Sequence, residues 1–135
     1  MFAPTILALA LVAPAQVDYV VDGDTIRLEG GAYVRMIGID TPEVGDCGAD
    51  AAEAKLTRMV ARNGWVVTLR NPGSVDDTDS YDRLLRYVDV ATRDTQAVLL
   101  RQGLAQARYD GRDGYDWHPR ENRYHQLDDA NPDVC

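Results

Sequence analysis

The chain has 135 residues, 22 acidic against 14 basic side chains, and a formal net charge of −8. This length provides one modest hydrophobic core, which excludes an arrangement of several large domains. The negative charge repels polyanions at long range, so any contact with nucleic acid requires a local positive site or a bound cation.

The first fifteen residues have the pattern of a secretory leader. An uncharged apolar stretch, Ile6 to Val12, is followed by the small residues Ala13-Pro14-Ala15, although the basic residue that usually precedes such a stretch is missing. We therefore expect residues 1–15 to be a signal peptide, and residues 16–135 to form a single domain that is secreted and has no membrane attachment after processing. An uncleaved N-terminal strand or anchor is the alternative.

Three short antiparallel strands are predicted to follow. Residues 17–21 alternate as a strand and break at Asp22-Gly23, and residues 25–40 contain two β-rich runs around Glu29-Gly30-Gly31-Ala32. Paired glycines between such runs indicate a hairpin, because glycine supplies the positive φ of tight turns. Thr41-Pro42 ends the pattern, since proline lacks the N–H that a ladder requires.

The remaining elements mix helices and strands. Helical spacing predicts an amphipathic helix over residues 49–61, and residues 65–69 and 84–90 are typical of strands. Asp94 is suited to cap a helix that ends before Gly103, and residues 120–129 form a possible surface helix. Five short strands with a helix after the third favour an α+β fold, mainly β, built on a five-stranded Greek-key barrel of the OB type with two or three helices.

Three aspartates and two arginines stand out because they suit phosphodiester chemistry. Asp24 and Asp40, on strands that a barrel brings side by side, offer hard oxygen ligands for Ca²⁺. Arg35 and Arg83 offer planar guanidinium groups that donate two parallel hydrogen bonds to a phosphate. Asp22 taken alone is more typical of a turn than of a metal site.

Four segments in order resemble the staphylococcal nuclease family between Val17 and Tyr109, namely residues 20–28, 34–43, 79–88 and 99–107. The resemblance implies a calcium-dependent nuclease that hydrolyses DNA and RNA with low sequence specificity. It also implies the residue roles. Asp24, Asp40 and the carbonyl of Thr41 bind the calcium with Asp22 in support, Arg35 and Arg83 bind the phosphate, Glu43 acts as general base, and Tyr109 lines the nucleotide pocket.

The chain departs from the family pattern at three places. Asp82 replaces a common glycine, and its carboxylate is expected to neutralise part of the charge of Arg83. Gly111 replaces a second aromatic residue two positions after Tyr109, which predicts a loosely held base. The loop after Glu43 is short and acidic.

Cysteines and histidines allow more than one interpretation. Cys47 and Cys135 form a disulfide in an exported chain or remain two free thiols. His118 and His125 are expected at the surface. The aspartates of residues 110–116 suggest a second calcium site, but their spacing does not match an EF-hand loop, and a solvated loop is the simpler interpretation.

Two other functions compete with the nuclease. One is a catalytically silent OB-barrel that binds nucleic acid or protein partners. The other is an exported structural domain in which the acidic residues bind calcium only for stability. In each case we expect a monomer.

Overall fold

The computed structural model describes residues 12–135. Of the expected signal peptide, residues 1–11 lie outside the described residues, and residues 12–15 belong to the first strand. In chain order the elements are β1 (Val12–Asp22), β2 (Thr25–Leu28), β3 (Tyr33–Met36), β4 (Ile39–Asp40), α1 (Ala49–Arg62), β5 (Val66–Arg70), β6 (Leu84–Val90), β7 (Arg93–Asp94), α2 (Thr95–Arg101), β8 (Gln106–Ala107), a 3₁₀ helix (Gly111–Asp113) and α3 (Glu121–Ala130).

Five strands close into a barrel. Their order is β3-β2-β1-β5-β6 with antiparallel neighbours, and a parallel pairing of β3 with β6 closes the ring. β4 pairs with β8 in a separate two-stranded ladder beside the barrel, and β7 pairs with the end of β6. The predicted OB-type α+β fold is therefore confirmed.

The barrel interior is filled by alternate strand residues. Ile26 on β2 and Val34 on β3 are 0% exposed, while Arg27 and Arg35, the next residue on each strand, are partly exposed. Helix α1 covers the barrel with the apolar stripe that helical spacing predicted, and Leu56 and Val60 are also 0% exposed. The inward side chains of the strands and the apolar stripe of α1 therefore pack together in one hydrophobic core.

The ends of α2 follow local capping chemistry. The Asp94 carboxylate accepts a hydrogen bond from the Ala97 N–H at 3.1 Å, and Gly103 just after α2 has φ +67°, as predicted. Helix α3 forms where the polar tail suggested one, but it is more than a surface helix, because Tyr124 is 0% exposed. No helix within residues 12–135 has the length and apolar character to cross a bilayer.

Candidate active site

One cleft of about 720 Å³ opens where the ends of the barrel strands meet the later loops. All the predicted site residues line it: Asp22, Asp24, Arg35, Asp40, Thr41, Glu43, Arg83 and Tyr109. They come from the β1–β2 turn, β3, β4 and the loop after it, the segment before β6 and the segment after β8. Closure of the barrel therefore brings together residues that are up to 87 positions apart in sequence, from Asp22 to Tyr109.

The β1–β2 turn is shaped by its glycine. A Cβ at Gly23 would lie 2.6 Å from the Ala52 Cβ of α1 and 2.8 Å from the Thr41 Cγ2, so only glycine allows this close approach. Within the turn, Asp22 Oδ1 accepts a hydrogen bond from the Asp24 N–H at 3.0 Å. Asp22 therefore forms the hydrogen bond that is typical of a turn residue. The same turn holds Asp22 and Asp24 in the cleft.

Asp24 fixes the position of Thr41. Its Oδ2 accepts hydrogen bonds from the Thr41 N–H at 2.9 Å and from the Thr41 hydroxyl at 3.1 Å. Both residues are buried, at 6% and 5% exposure. Because buried hydrogen bonds to a carboxylate are strong, β4 cannot move far from the β1–β2 turn.

Arg35 lies between the acidic residues. One guanidinium nitrogen donates to the carbonyls of Met36 and Ile39, each at 2.9 Å. The other lies 3.3 Å from Asp24 Oδ2 and 3.7 Å from Asp40 Oδ1. The guanidinium is thus fixed by backbone and carboxylate contacts, and only 13% of the side chain is exposed.

The carboxylates of the cleft are crowded. Burial, and next the neighbouring Asp24 carboxylate, raise the pKa of Asp22 to about 6. Burial also raises the pKa of Asp40, although the charge of Arg35 opposes it. Arg35 and Arg108 balance part of the negative charge, at 3.7 Å and 3.4 Å from Asp40, and these three carboxylates still share the cleft. The donor set of hard carboxylate oxygens therefore fits a divalent cation.

Arg83 is held by Asp79. Its Nε donates to Asp79 Oδ2 at 2.8 Å, and its N–H donates to Asp79 Oδ1 at 3.0 Å. Burial disfavours the Asp79 carboxylate, but the N–H groups of Arg83 and Tyr81 outweigh it and lower the pKa of Asp79. Within residues 12–135 the carboxylate paired with Arg83 is thus that of Asp79, and the partial neutralisation expected from Asp82 stays a prediction. Asp82 adopts φ 61°, the left-handed conformation that suits the glycine it replaces.

Sequence analysis missed an aromatic residue of the cleft. The ring of Tyr115 lies 5.4 Å from the ring of Tyr109 in an edge-to-face arrangement, and both line the cleft. The 3₁₀ helix that contains Gly111 turns the chain back towards Tyr109. A second aromatic residue is therefore present, but it comes six positions after the first. Nothing in the local sequence signals it, because the contact depends on the path of that turn.

Glu43 lies on an exposed loop between two clefts. It lines the main cleft and also a second one of about 360 Å³ that the chain terminus borders. A disulfide joins Cys47, four residues after Glu43, to Cys135 at a sequence separation of 88. The disulfide interpretation is thus confirmed, and the covalent link connects the loop of the expected general base to the C-terminal segment.

A buried group of polar residues lies behind the cleft. Within residues 12–135, ligand atoms of Asp110, His118 and Glu121 lie within 4.8 Å of one another and could hold a metal ion. Protein donors already contact both acids, since Asp110 binds His125 at 2.6 Å and Glu121 accepts from the His118 N–H at 3.2 Å. His118 is 0% exposed, so its expected surface position is wrong.

The aspartates of residues 110–116 do not converge on one point. Asp110 caps the 3₁₀ helix through the Arg112 N–H, Asp113 accepts from the Tyr109 N–H, and Asp116 accepts from the Asp76 N–H. Each carboxylate therefore has a separate role in shaping the loop. The simpler interpretation of this segment, a loop without a calcium site of its own, agrees with these contacts.

Comparisons of the sequence with known proteins point to one family. The sequence profile of the staphylococcal nuclease homologue family matches residues 33–130. Two proteins of Bacillus subtilis (strain 168) are similar: SPbeta prophage-derived endonuclease YokF, 36% identical over 102 residues, and endonuclease YncB, 34% identical over 102 residues. Each alignment covers 68% of this chain, with 33% of YokF and 46% of YncB. The chain thus spans about a third to a half of the length of these relatives.

Proposed function

The chain belongs to the staphylococcal nuclease homologue family, and from this premise we propose that it is a calcium-dependent nuclease that hydrolyses phosphodiester bonds of DNA and RNA with low sequence specificity. The observation that supports the proposal best is the assembly of Asp24, Asp40 and Glu43 around Arg35 in one cleft. An acidic site beside a fixed guanidinium suits a substrate that brings negative charge and needs a cation to approach.

Asp24, Asp40 and the carbonyl of Thr41 would hold the divalent ion, with Asp22 in support. Their oxygens are the ligand type that Ca²⁺ prefers, and burial, the main cause of the raised pKa values of Asp22 and Asp40, makes a nearby positive charge favourable for these carboxylates. When bound, the ion would supply electrostatic stabilisation of the charge that develops on the phosphate.

The side chains of the chain itself supply binding and proton transfer. Arg35 donates to the phosphate oxygens from a guanidinium that its backbone contacts keep in place. Arg83 approaches the same cleft from the segment before β6, with Asp79 fixing its orientation. Glu43, exposed on its loop, orients the attacking water and accepts its proton at the carboxylate.

Tyr109 and Tyr115 would contact the base of a bound nucleotide. Both side chains are partly exposed, at 39% and 59%, and stacking on an aromatic face is available to every base. This contact does not read hydrogen-bond patterns or the 2′-hydroxyl group. It therefore supports activity on both DNA and RNA without sequence preference.

The disulfide supports export of the protein, because such bonds persist in oxidising compartments. We propose a secreted monomer that loses residues 1–15 on processing. N-terminal sequencing of protein collected from the culture medium tests this directly. A mature chain that still begins at residue 1 contradicts it.

The nuclease proposal is tested by cleavage of fluorogenic DNA and RNA oligonucleotides with millimolar Ca²⁺ and with a chelator. We expect cleavage only with the ion, and a loss of roughly a hundredfold to a thousandfold in Arg35→Ala and Arg83→Ala, measured at a temperature where a thermal melt shows each variant to be folded. Arg58→Ala is the control, since Arg58 is exposed on α1 and does not line the cleft. If the protein binds the oligonucleotides but does not cleave them, it is the catalytically silent OB-barrel. If Ca²⁺ raises its Tm but it neither binds nor cleaves the oligonucleotides, it is the structural domain.

A further inference from the structure

Two tyrosines flank an arginine on the outer face of the barrel, and none of the three residues lines the cleft. The guanidinium carbon of Arg27 lies 5.8 Å from the ring centre of Tyr19 and 5.9 Å from that of Tyr33. The two hydroxyl groups are 3.4 Å apart. Tyr19 is 44% and Tyr33 39% exposed. We call these three residues the Tyr19–Arg27–Tyr33 patch.

Strand pairing explains how the patch forms. Arg27 on β2 is the direct partner of Tyr19 on β1 and of Tyr33 on β3. The register of β1 shifts between Val17 and Tyr19, so that Asp18 is an additional residue. This irregularity turns both Asp18 and Tyr19 to the outside, where they contact Arg27.

The patch continues the floor of the cleft. Tyr33 and Arg35 are two residues apart on β3, so their side chains point to the same face at a spacing of about 7 Å. Their partners on β2, Arg27 and Thr25, follow the same order. Because Arg35 and Thr25 line the cleft, the patch is the next row of outward side chains along the same strands.

We propose that the Tyr19–Arg27–Tyr33 patch binds the nucleotides of a single strand that flank the one in the cleft. Two exposed aromatic rings offer stacking surfaces to bases, and a guanidinium beside them offers hydrogen bonds to a phosphate. The inference rests on the proposed function, and it extends the substrate from one nucleotide to a longer strand that runs along β1, β2 and β3.

The charge of Asp18 provides a second test of the proposal. Its carboxylate pairs with Arg27 and lies at the surface, with 42% of the side chain exposed. A phosphate that approaches Arg27 must compete with this carboxylate. Removal of the Asp18 charge should therefore strengthen binding of a long strand, whereas loss of the tyrosine rings should weaken it.

The main experiment compares kcat/KM for a dinucleotide and for a single-stranded dodecamer, both measured with Ca²⁺ on the full chain. In Tyr19→Thr/Tyr33→Thr we expect the kcat/KM for the dodecamer, divided by that for the dinucleotide, to fall about tenfold or more. In Tyr19→Phe/Tyr33→Phe, which keeps the aromatic rings, this ratio should equal that of the wild-type protein. Threonine retains strand propensity, and Tm confirms that the barrel remains folded.

Asp18→Asn provides a test in the opposite direction, with an expected rise in the same ratio of about threefold. A patch that only stabilises the sheet predicts a lower Tm in the threonine variant and an unchanged ratio in all three variants, which would overturn the inference. If the wild-type protein cleaves neither substrate, the proposed function fails, and anisotropy of a labelled dodecamer decides the patch separately. Equal affinity of wild type and the threonine variant then overturns it.

Discussion

His118 is the residue whose environment differs most from its expected place at the surface. Its Nδ1 lies 2.6 Å from the Tyr87 hydroxyl, and its Nε2 has no hydrogen-bond partner within residues 12–135. A Cβ at Gly38 would lie 2.5 Å from that Nε2, so the imidazole packs directly against the backbone before β4. A neutral ring tolerates this site, whereas a charged one would lack solvation.

Protonation of His118 should therefore destabilise the fold. Burial lowers the pKa of His118 from 6.5 to about 4. Between these values the unfolded chain holds the proton and the folded chain does not, so the free energy of unfolding falls as pH falls from about 6.5 to about 4. The expected loss is about 3 kcal/mol, measured by urea unfolding at several pH values.

His118→Gln is the control for this pH dependence. Glutamine cannot gain a proton, so the variant should be less stable at neutral pH but lose less stability on acidification than wild type. Titration of the carboxylates is common to both proteins and cancels in the difference. Parallel curves for the two proteins would contradict the assignment to His118.

At the scale of elements, β1 has two halves with different partners. Its first half pairs with β5 from Val12 opposite Arg70 to Gln16 opposite Val66, and its second half pairs with β2 from Val17 onwards. The second half contributes Val17 and Val20 to the core. Removal of residues 1–15 would thus take pairs from the β1–β5 ladder and leave the core residues of β1 in place.

A chain that begins at Gln16 should therefore fold, with a free energy of unfolding lower by about 1 to 3 kcal/mol than that of a chain that begins at Val12. The range follows from the few ladder hydrogen bonds that the truncation removes. Urea unfolding of both chains measures the difference. A truncated chain that does not fold would show that the first half of β1 is essential, and would also argue against cleavage after Ala15.

Elements with strong local signals could be predicted from the sequence. The Gly30-Gly31 hairpin, the amphipathic stripe of α1 and the cap at Asp94 depend on residues that are close in sequence, and all three are present. The candidate site was predictable as far as motif order allowed, because its main residues lie in segments that recur together in one family. Their convergence on one cleft followed from the barrel topology.

Contacts that depend on the exact path of a turn or on the packing of a helix could not be predicted in the same way. The partner of Arg83 is Asp79 rather than the adjacent Asp82, because the left-handed backbone at Asp82 accompanies a tight turn that brings Asp79 opposite the guanidinium. The approach of Tyr115 to Tyr109 depends on a short 3₁₀ helix that has no strong sequence signal. Polarity alone placed His118 at the surface, whereas burial depends on how α3 packs.

At the scale of the whole molecule, the C-terminal segment connects α2 with the loop of Glu43. The Val134 N–H donates to the Gly103 carbonyl at 3.0 Å, and Gln106 donates to Asp133 at 2.6 Å. The disulfide to Cys47 completes the link. The last residues thus connect a helix end on one side with the active-site loop on the other.

Cys47→Ser/Cys135→Ser should therefore affect both stability and catalysis. Because the cysteines are 88 positions apart, loop-closure entropy predicts a loss of up to about 4.6 kcal/mol in the free energy of unfolding. The cleavage rate should also fall severalfold at temperatures where the protein stays folded, because the exposed loop of Glu43 loses its covalent anchor. Dithiothreitol should reproduce both effects in wild type and add nothing in the double variant. A reduced protein with wild-type Tm and wild-type rate would show that hydrogen bonds of the C-terminal segment suffice to hold the loop.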